Sequence, residues 1–210
     1  MGGDYFDFLD LGQQRLGLVT GDVSGKGIAA ALLMANLQAS LRSQSAMASD
    51  QPQRFLRSVN QLFCQNTAGA DYATFLFSEY DDKTQRLRYV NCGRLSALLL
   101  RRDDTLERLE STSTVLGLFE NWDCSLEERQ LFPGDTLLLY TDGATESFND
   151  GGEEFGERRL VEAFRRHGGQ PSEVLMALIV EEIRRFHPSE QQDDITLIAT
   201  HCRDHVVPDG

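Results

Sequence analysis

The amino-acid sequence predicts an α+β fold in which β-sheet layers are flanked by helical layers. Strand-like and helix-like hydrophobic periodicities occur in separate blocks, and segregated blocks of this kind are typical of α+β proteins. The turns between predicted strands, such as residues 81–84 and 103–104, are too short to contain crossover helices. Consecutive strands should therefore pair as antiparallel hairpins, which excludes a doubly wound parallel sheet.

The N-terminal part of the chain predicts one strand and two helices. A β-prone run at residues 16–20 precedes a glycine-rich loop at residues 21–27. Residues 28–41 are rich in Ala, Leu and Met, and their nearly continuous apolar positions predict a helix that is buried on more than one side. Pro52 begins a second helix, in which apolar residues recur three and four positions apart.

The remainder of the chain predicts a series of strands, two more helices and a last strand. Short strand-like runs divided by polar turns lie at residues 73–80, 86–92, 97–101, 107–109, 125–130 and 136–141. Helical patterns at 157–166 and 171–186 precede a strand at 195–200. Because no internal repeat, low-complexity tract or linker divides the sequence, we expect one domain over residues 1–202 and a C-terminal tail at 203–210.

The charge balance limits the kinds of partner. The 210 residues include 20 Lys and Arg against 33 Asp and Glu, which gives a net charge of −13. Such an acidic surface repels nucleic acid and anionic lipid, so we expect neither nucleic acid nor membrane as a partner. The longest apolar runs are far shorter than the roughly 18 residues that suggest a membrane span, and the N-terminus shows no signal-peptide pattern. These features predict a cytoplasmic protein.

Four aspartates occupy unusual positions, at strand ends and beside glycines or a buried run. Asp4 follows two glycines, Asp22 lies between a strand and the glycine loop, Asp142 follows an apolar strand, and Asp193 precedes another. Strand ends can converge in an antiparallel sandwich, and converging carboxylates repel one another and raise one another's pKa unless a cation binds. The pattern therefore predicts a cation site.

The donor atoms favour magnesium or manganese over zinc. Carboxylate oxygens suit Mg²⁺ and Mn²⁺, whereas zinc favours Cys and His ligands. The four cysteines are widely scattered, and all four histidines lie at residue 167 or beyond. Two such cations a few ångströms apart can activate a water for in-line attack on phosphorus, so this site predicts phosphoester hydrolysis.

Two other active-site motifs match the glycine loop poorly. A phosphate-binding P-loop needs four residues between its glycines and a Ser or Thr after the lysine, whereas residues 21–27 have three and then a glycine. Ser24 does not stand in a Gly-x-Ser-x-Gly nucleophile motif, and no histidine is near it in sequence. These glycines can also be interpreted as residues of a plain tight turn. That interpretation is compatible with a cation site, because a tight turn lets the main-chain carbonyl of Val23 reach an ion.

Seven short motifs occur one after another along the chain. They are Gly-Gly-Asp-Tyr-Phe-Asp at 2–7, Gly-Asp-Val-Ser-Gly-Lys-Gly at 21–27 followed by Ala-Ala-Leu-Leu-Met at 30–34, Ala-Thr-Phe at 73–75, Asn-Cys-Gly at 91–93, Pro-Gly-Asp at 133–135, Tyr-Thr-Asp-Gly-Ala-Thr-Glu at 140–146 and Asp-Asp-Ile-Thr-Leu at 193–197. In this order and spacing they resemble the SpoIIE/RsbU branch of the PPM (protein phosphatase 2C-like) metal-dependent phosphatases. The resemblance covers nearly the whole chain.

The resemblance implies an α-β-β-α sandwich of two antiparallel sheets, a site for two Mn²⁺ or Mg²⁺ ions, and dephosphorylation of phosphoserine or phosphothreonine on a protein. Asp22 would bridge both ions, with Asp4 and the Val23 carbonyl on one of them. Asp142 and Asp193 would hold the other, and together with Asp22 they would form the catalytic set.

The resemblance also implies roles around the ligands. Asp194 occupies a position where many relatives have Asn, so it would support the site from outside, and Gly143 would let the chain turn sharply after its ligand. Lys26 is a candidate for binding phosphate. Arg94 is a second candidate for binding phosphate, at a position where relatives have His. Eukaryotic-type members place a general acid where this chain has Ser24, so the general acid is unassigned.

Within the family, the expected substrate is a small anti-sigma-factor antagonist in bacterial partner switching. The alternative is a pseudophosphatase adaptor that binds a sigma factor or its regulator; such a relative should have lost ligands, whereas the set here is intact. The resemblance also implies an upstream receiver or sensory domain, a possible homodimer, and a lead-in before Asp4 that is truncated here.

Overall fold

The computed structural model describes residues 3–67, 71–93, 96–187 and 194–203. In these ranges, strands and helices follow one another in the predicted blocks, with one additional strand at the start. The strands are β1 Asp4–Asp10, β2 Arg15–Val23, β3 Ala73–Asp81, β4 Arg86–Cys92, β5 Ser96–Leu100, β6 Leu106–Arg108, β7 Glu127–Gln130, β8 Thr136–Tyr140 and β9 Leu197–His201, and the helices are α1 Ile28–Gln44, α2 Pro52–Asn66, α3 Gly156–His167 and α4 Ser172–Phe186. None of these helices has the length and apolar character needed to cross a membrane.

The strands form two antiparallel sheets. The first sheet has the order β1-β2-β3-β4-β7 and the second has the order β6-β5-β8-β9. The expectation that consecutive strands pair is wrong at three points, because the chain changes sheets between β4 and β5, between β6 and β7 and between β7 and β8. At the first of these points, β5 leaves β4 and starts the second sheet. The reason lies in the topology: β3 pairs with one edge of β4 and β7 returns to pair with the other edge, so β4 has no free edge for β5.

The two sheets pack face to face, with helices on the outer side of each. One apolar cluster joins the first sheet to α1 and α2, a second lies between the sheets, and a third joins the second sheet to α3 and α4. Alternation along each strand divides the side chains between these clusters. In β8, for example, Leu137 and Leu139 face the first sheet while Leu138 faces the helices. The predicted α-β-β-α sandwich is therefore confirmed.

Strand β1 is not predicted from the sequence. Its inward side chains, Tyr5, Asp7 and Leu9, are buried under α1, whereas Phe6 and Phe8 are about half exposed on the opposite face. Apolar residues on both faces and three aspartates conceal the period-two pattern from which strands are recognised. Pairing with β2 over the full length, from Asp4 to Asp10, defines the strand instead.

Helix α1 buries only one side, so the prediction of burial on several sides is wrong. Leu37 and Leu41 are fully buried against the first sheet, whereas Ile28 and Leu32 are 74% and 67% exposed. Ala, Leu and Met are strong helix formers, so their dense run reports helix propensity as well as burial.

This difference in burial gives a stability prediction for α1. Leu37→Ala should lower the free energy of unfolding by about 2–5 kcal/mol, because it leaves a cavity in a closed core. Leu32→Ala removes the same atoms from an exposed position and should change the free energy of unfolding by less than about 0.5 kcal/mol. Urea denaturation of both variants measures the two values, and equal losses would contradict the one-sided burial of α1.

An ion pair ties β1 to α1. Arg42 donates from Nε to Asp7 Oδ2 at 2.7 Å and from Nη2 to Asp7 Oδ1 at 2.5 Å, and the Tyr5 hydroxyl donates to Oδ2 at 2.6 Å. Burial of Asp7 acts to raise its pKa, but the bonds from Arg42 and Tyr5 outweigh burial and hold the pKa below its ordinary value.

The lowered pKa of Asp7 predicts a pH-dependent contribution to stability. The contribution is present above the pKa of an unfolded Asp, about 3.9, and is lost as the pH falls through the lower folded value. Asp7→Asn should therefore lower Tm at pH 7, and its difference from wild type should shrink as the medium is acidified below about pH 4. Thermal melts across this range measure the difference, with exposed Asp10→Asn on the same strand as control. A difference that is independent of pH would contradict the assignment.

Candidate metal centre

Two of the predicted ligands lie side by side in the first sheet. Asp4 in β1 and Asp22 in β2 are direct partners in the antiparallel register. Strand alternation places Asp22 on the same face as Leu18, which packs between the sheets, so both carboxylates face the second sheet. Like charges directly opposite each other in a sheet are destabilising, which favours a cation between them.

Strand β2 is longer than predicted, and this extension holds the site. It continues through Asp22 to Val23, so these residues lie in the sheet, opposite Thr74 and Ala73 of β3, and not in a loop. The N–H of Val23 also donates to the carbonyl of Gly3 at 3.2 Å. Main-chain pairing on both sides therefore fixes the position of Asp22.

The second sheet contributes two threonines that contact Asp4. Thr141 follows β8 and Thr196 precedes β9, each two residues from a side chain of the core between the sheets. Their hydroxyls donate to Asp4 Oδ2 at 2.9 Å and 2.8 Å, respectively. Both residues lie within the sequence motifs at 140–146 and 193–197, but no role is predicted for them from sequence; the available signal is a hydroxyl residue beside each acidic strand end.

Asp142 completes a cluster of three carboxylates. It begins a 3-10 turn directly after Thr141, and carboxylate oxygens of Asp4, Asp22 and Asp142 all lie within 4.8 Å of one another. Burial raises the pKa of Asp4, the hydroxyls of Thr196 and Thr141 oppose that effect, and the charges of Asp142 and Asp194 add to it. The three residues come from different strand ends.

Two glycines allow the main chain to approach closely at this centre. A Cβ added to Gly143 would lie 1.9 Å from the carbonyl oxygen of Asp194, and one added to Gly3 would lie 2.3 Å from the carbonyl oxygen of Val23. Both contacts are too short for any side chain. The chain does turn directly after Asp142, in the 3-10 turn Asp142–Ala144, but Gly143 has no positive φ, so the close contact with residue 194 is what requires a glycine here.

A cleft of about 980 Å³ opens over the carboxylates. Asp22 and Asp142 line it together with Lys26, which is exposed at its rim. Arg108 of β6 lines the same cleft, and its Nε donates to Glu157 of α3 at 2.7 Å. The space is large enough for a phosphorylated side chain and adjoining polypeptide. Sequence reasoning missed Arg108 and Glu157, because nothing in their local sequence places them near the carboxylates.

Three further predicted site residues are Asp193, Arg94 and Asp194, and the structure describes only the last of them. Asp193 and Arg94 lie outside the described residues. Asp194 is exposed, and its charge acts on Asp4 while its carbonyl contacts Gly143.

The carboxylate cluster fits a divalent cation. Mg²⁺ binds oxygen at about 2.0–2.1 Å, so two ligands on opposite sides of one ion lie about 4 Å apart. The observed limit of 4.8 Å between the oxygens is close to that value. The three donor residues described here are all carboxylates, which matches the ligand preference of Mg²⁺ and Mn²⁺.

Comparison with known proteins places the chain in a family. Residues 12–203 match the family model described as Stage II sporulation protein E (SpoIIE). Protein IcfG of Synechocystis sp. is 29% identical over 95% of this chain and 36% of its own length. Phosphoserine phosphatase RsbU of Bacillus subtilis is 26% identical over 94% of this chain and 58% of its own length.

A solved structure supports the same assignment. The RsbU and RsbW domains of Rv1364c from Mycobacterium tuberculosis superpose with a TM-score of 0.81 at 28% identity, over 97% of this chain and 57% of that chain. The chain spans less than two thirds of each of these three proteins. The fold, the arrangement of motifs and the family match agree, and the chain belongs to the SpoIIE family.

Proposed function

We propose that the protein is a metal-dependent serine/threonine phosphoprotein phosphatase. The observation that carries the proposal is the convergence of Asp4, Asp22 and Asp142 from both sheets, with Asp22 and Asp142 lining a cleft. The name of its relative RsbU, a phosphoserine phosphatase, supports the same reaction class. The reaction is the hydrolysis of a phosphomonoester by water, which yields the free hydroxyl of the protein and inorganic phosphate.

The proposed cofactor is a pair of Mn²⁺ or Mg²⁺ ions. Asp22 would bridge the pair, Asp4 and the Val23 carbonyl would hold one ion, and Asp142 and Asp193 would hold the other. When bound, the ions supply charge neutralisation for the phosphate and activation of the attacking water. The chain itself orients the carboxylates through the β1-β2 register and through the 3-10 turn that begins at Asp142.

The cationic side chains at the cleft would act on the substrate. Lys26 and Arg108 stand among several carboxylates that line the cleft. Their positive charges favour binding of a phosphate dianion to a surface that is otherwise acidic. Glu157 accepts a hydrogen bond from Arg108 Nε, and this bond keeps the guanidinium of Arg108 in the wall of the cleft.

The proposed substrate is a small anti-sigma-factor antagonist phosphorylated on Ser or Thr, within bacterial partner switching. An upstream receiver or sensory domain and a homodimer are proposed for the whole protein on the same family basis. We also propose that residues 1–202 form one phosphatase domain and that the protein acts in the cytoplasm.

The test is phosphate release from a phosphoserine protein with Mn²⁺, compared with the same reaction in excess EDTA. The proposal expects release only with Mn²⁺, and it expects Asp142→Asn to abolish that release. A wild-type protein that binds the phosphoprotein but releases no phosphate would instead support the adaptor alternative.

A further inference from the structure

A hydrogen-bonded network crosses from the second sheet to the first at Asp4. Thr141 and Thr196 both donate to the same carboxylate oxygen, Oδ2, at 2.9 Å and 2.8 Å. Thr141 is fully buried and Asp4 and Thr196 are half-buried, so these bonds are partly shielded from water. They connect residues 137 and 192 positions apart along the chain.

The direction of these bonds follows from the chemistry of the groups, and a third bond is consistent with it. The main-chain N–H of Thr196 donates to Thr141 Oγ1 at 3.1 Å, so that oxygen already accepts a hydrogen bond. A hydroxyl carries one proton, and an ionised carboxylate only accepts. Both threonine protons therefore point to Asp4, and they stabilise its charged form.

The network also determines which oxygen of Asp4 is available to an ion. Each carboxylate oxygen accepts about two hydrogen bonds, and two hydroxyls fill Oδ2. The other oxygen, Oδ1, is left for a cation. Because the hydroxyls come from two separate strand ends, they also fix the rotation of the Asp4 carboxylate about its Cβ–Cγ bond.

We propose that Thr141 and Thr196 are positioning residues that hold Asp4 as a ligand of the cation through Oδ1. The proposal rests on the metal-dependent function proposed above, and it adds residues that contact neither the cation nor the substrate. Hydrogen-bond partners of metal ligands orient those ligands, and their loss commonly weakens metal binding about 10- to 100-fold.

The experiment measures Mn²⁺ affinity by calorimetric titration, without turnover. Thr196→Val removes the hydroxyl with little change in volume, and we expect it to weaken Mn²⁺ binding about 10- to 100-fold. Thr196→Ser keeps the hydroxyl and should stay within about threefold of wild type. Thr200→Val, on the same face of β9 and half-buried, is the matched control and should bind as wild type does.

A double-variant comparison separates positioning from a general loss of structure. In an Asp4→Asn background, Thr196→Val should cause no further loss of Mn²⁺ affinity, because the threonine acts through Asp4. Thermal melts of each variant identify any that unfold, and Thr141→Val replaces Thr196→Val if the latter does. Equal affinity of folded Thr196→Val and wild type overturns the positioning role and leaves the proposed function intact. A wild-type protein that binds no Mn²⁺ overturns both.

Discussion

Asp22→Asn is expected to lower Mn²⁺-dependent phosphate release at least about a hundredfold. The carboxylate of Asp22 lies within 4.8 Å of those of Asp4 and Asp142, so it is placed to contact any ion that the other two bind. A catalytic metal supplies several kcal/mol of charge stabilisation, and about 1.4 kcal/mol corresponds to a factor of ten in rate. Initial rates on a phosphoserine protein measure the loss.

The same variant should not destabilise the metal-free protein. Asp22 faces Asp4 directly across two strands, and removing one of two opposed charges relieves their repulsion. Melting in EDTA should therefore give a Tm equal to or above that of wild type. Asp50→Asn, at a highly exposed carboxylate, is the control for charge removal. Unchanged phosphate release by Asp22→Asn would contradict the catalytic assignment.

Gly143→Ala is expected to disrupt the fold around the carboxylate cluster and to weaken the binding of metal by that cluster. The new Cβ would lie 1.9 Å from the Asp194 carbonyl oxygen, a main-chain atom that cannot move without its segment. Displacing that segment also moves Thr196, which binds Asp4. Overpacking of this kind typically costs about 1–3 kcal/mol of stability.

Calorimetry with Mn²⁺ and urea denaturation measure the two effects of Gly143→Ala. Gly169→Ala is the matched control, because a Cβ at Gly169 would have no heavy atom within 4 Å. The control should retain stability and metal affinity. If Gly143→Ala kept both as well, the close packing between residues 143 and 194 would not be a requirement of the centre.

Much of the fold could be predicted because local pattern and tertiary environment agree. In α2, the apolar residues spaced three and four apart are those that pack against the first sheet, and Phe55, Val59 and Phe63 are fully buried. In β8, a short apolar run between polar turns is buried on both faces, as its composition indicates. Where the local pattern and the tertiary environment agree in this way, hydrophobic periodicity is sufficient to predict the helix or strand.

The features that were missed depend on contacts between distant parts of the chain. Strand β1 is defined by pairing with β2 and not by alternation, and the exposure of Leu32 depends on what packs against α1. The grouping of Asp4, Asp22 and Asp142 could be predicted because each stands at a strand end, and strand ends can converge in a sandwich. The bonds from Thr141 and Thr196 to Asp4 could not, because they require knowledge of which strands face each other across the two sheets.

The most direct test of the proposed metal centre is calorimetric titration of the wild-type protein with Mn²⁺. We expect saturable binding of two ions per chain, with binding lost in Asp22→Asn and retained in Asp50→Asn. If wild type showed no saturable binding, the carboxylates of Asp4, Asp22 and Asp142 would not form a metal centre, and the proposed hydrolysis would be contradicted.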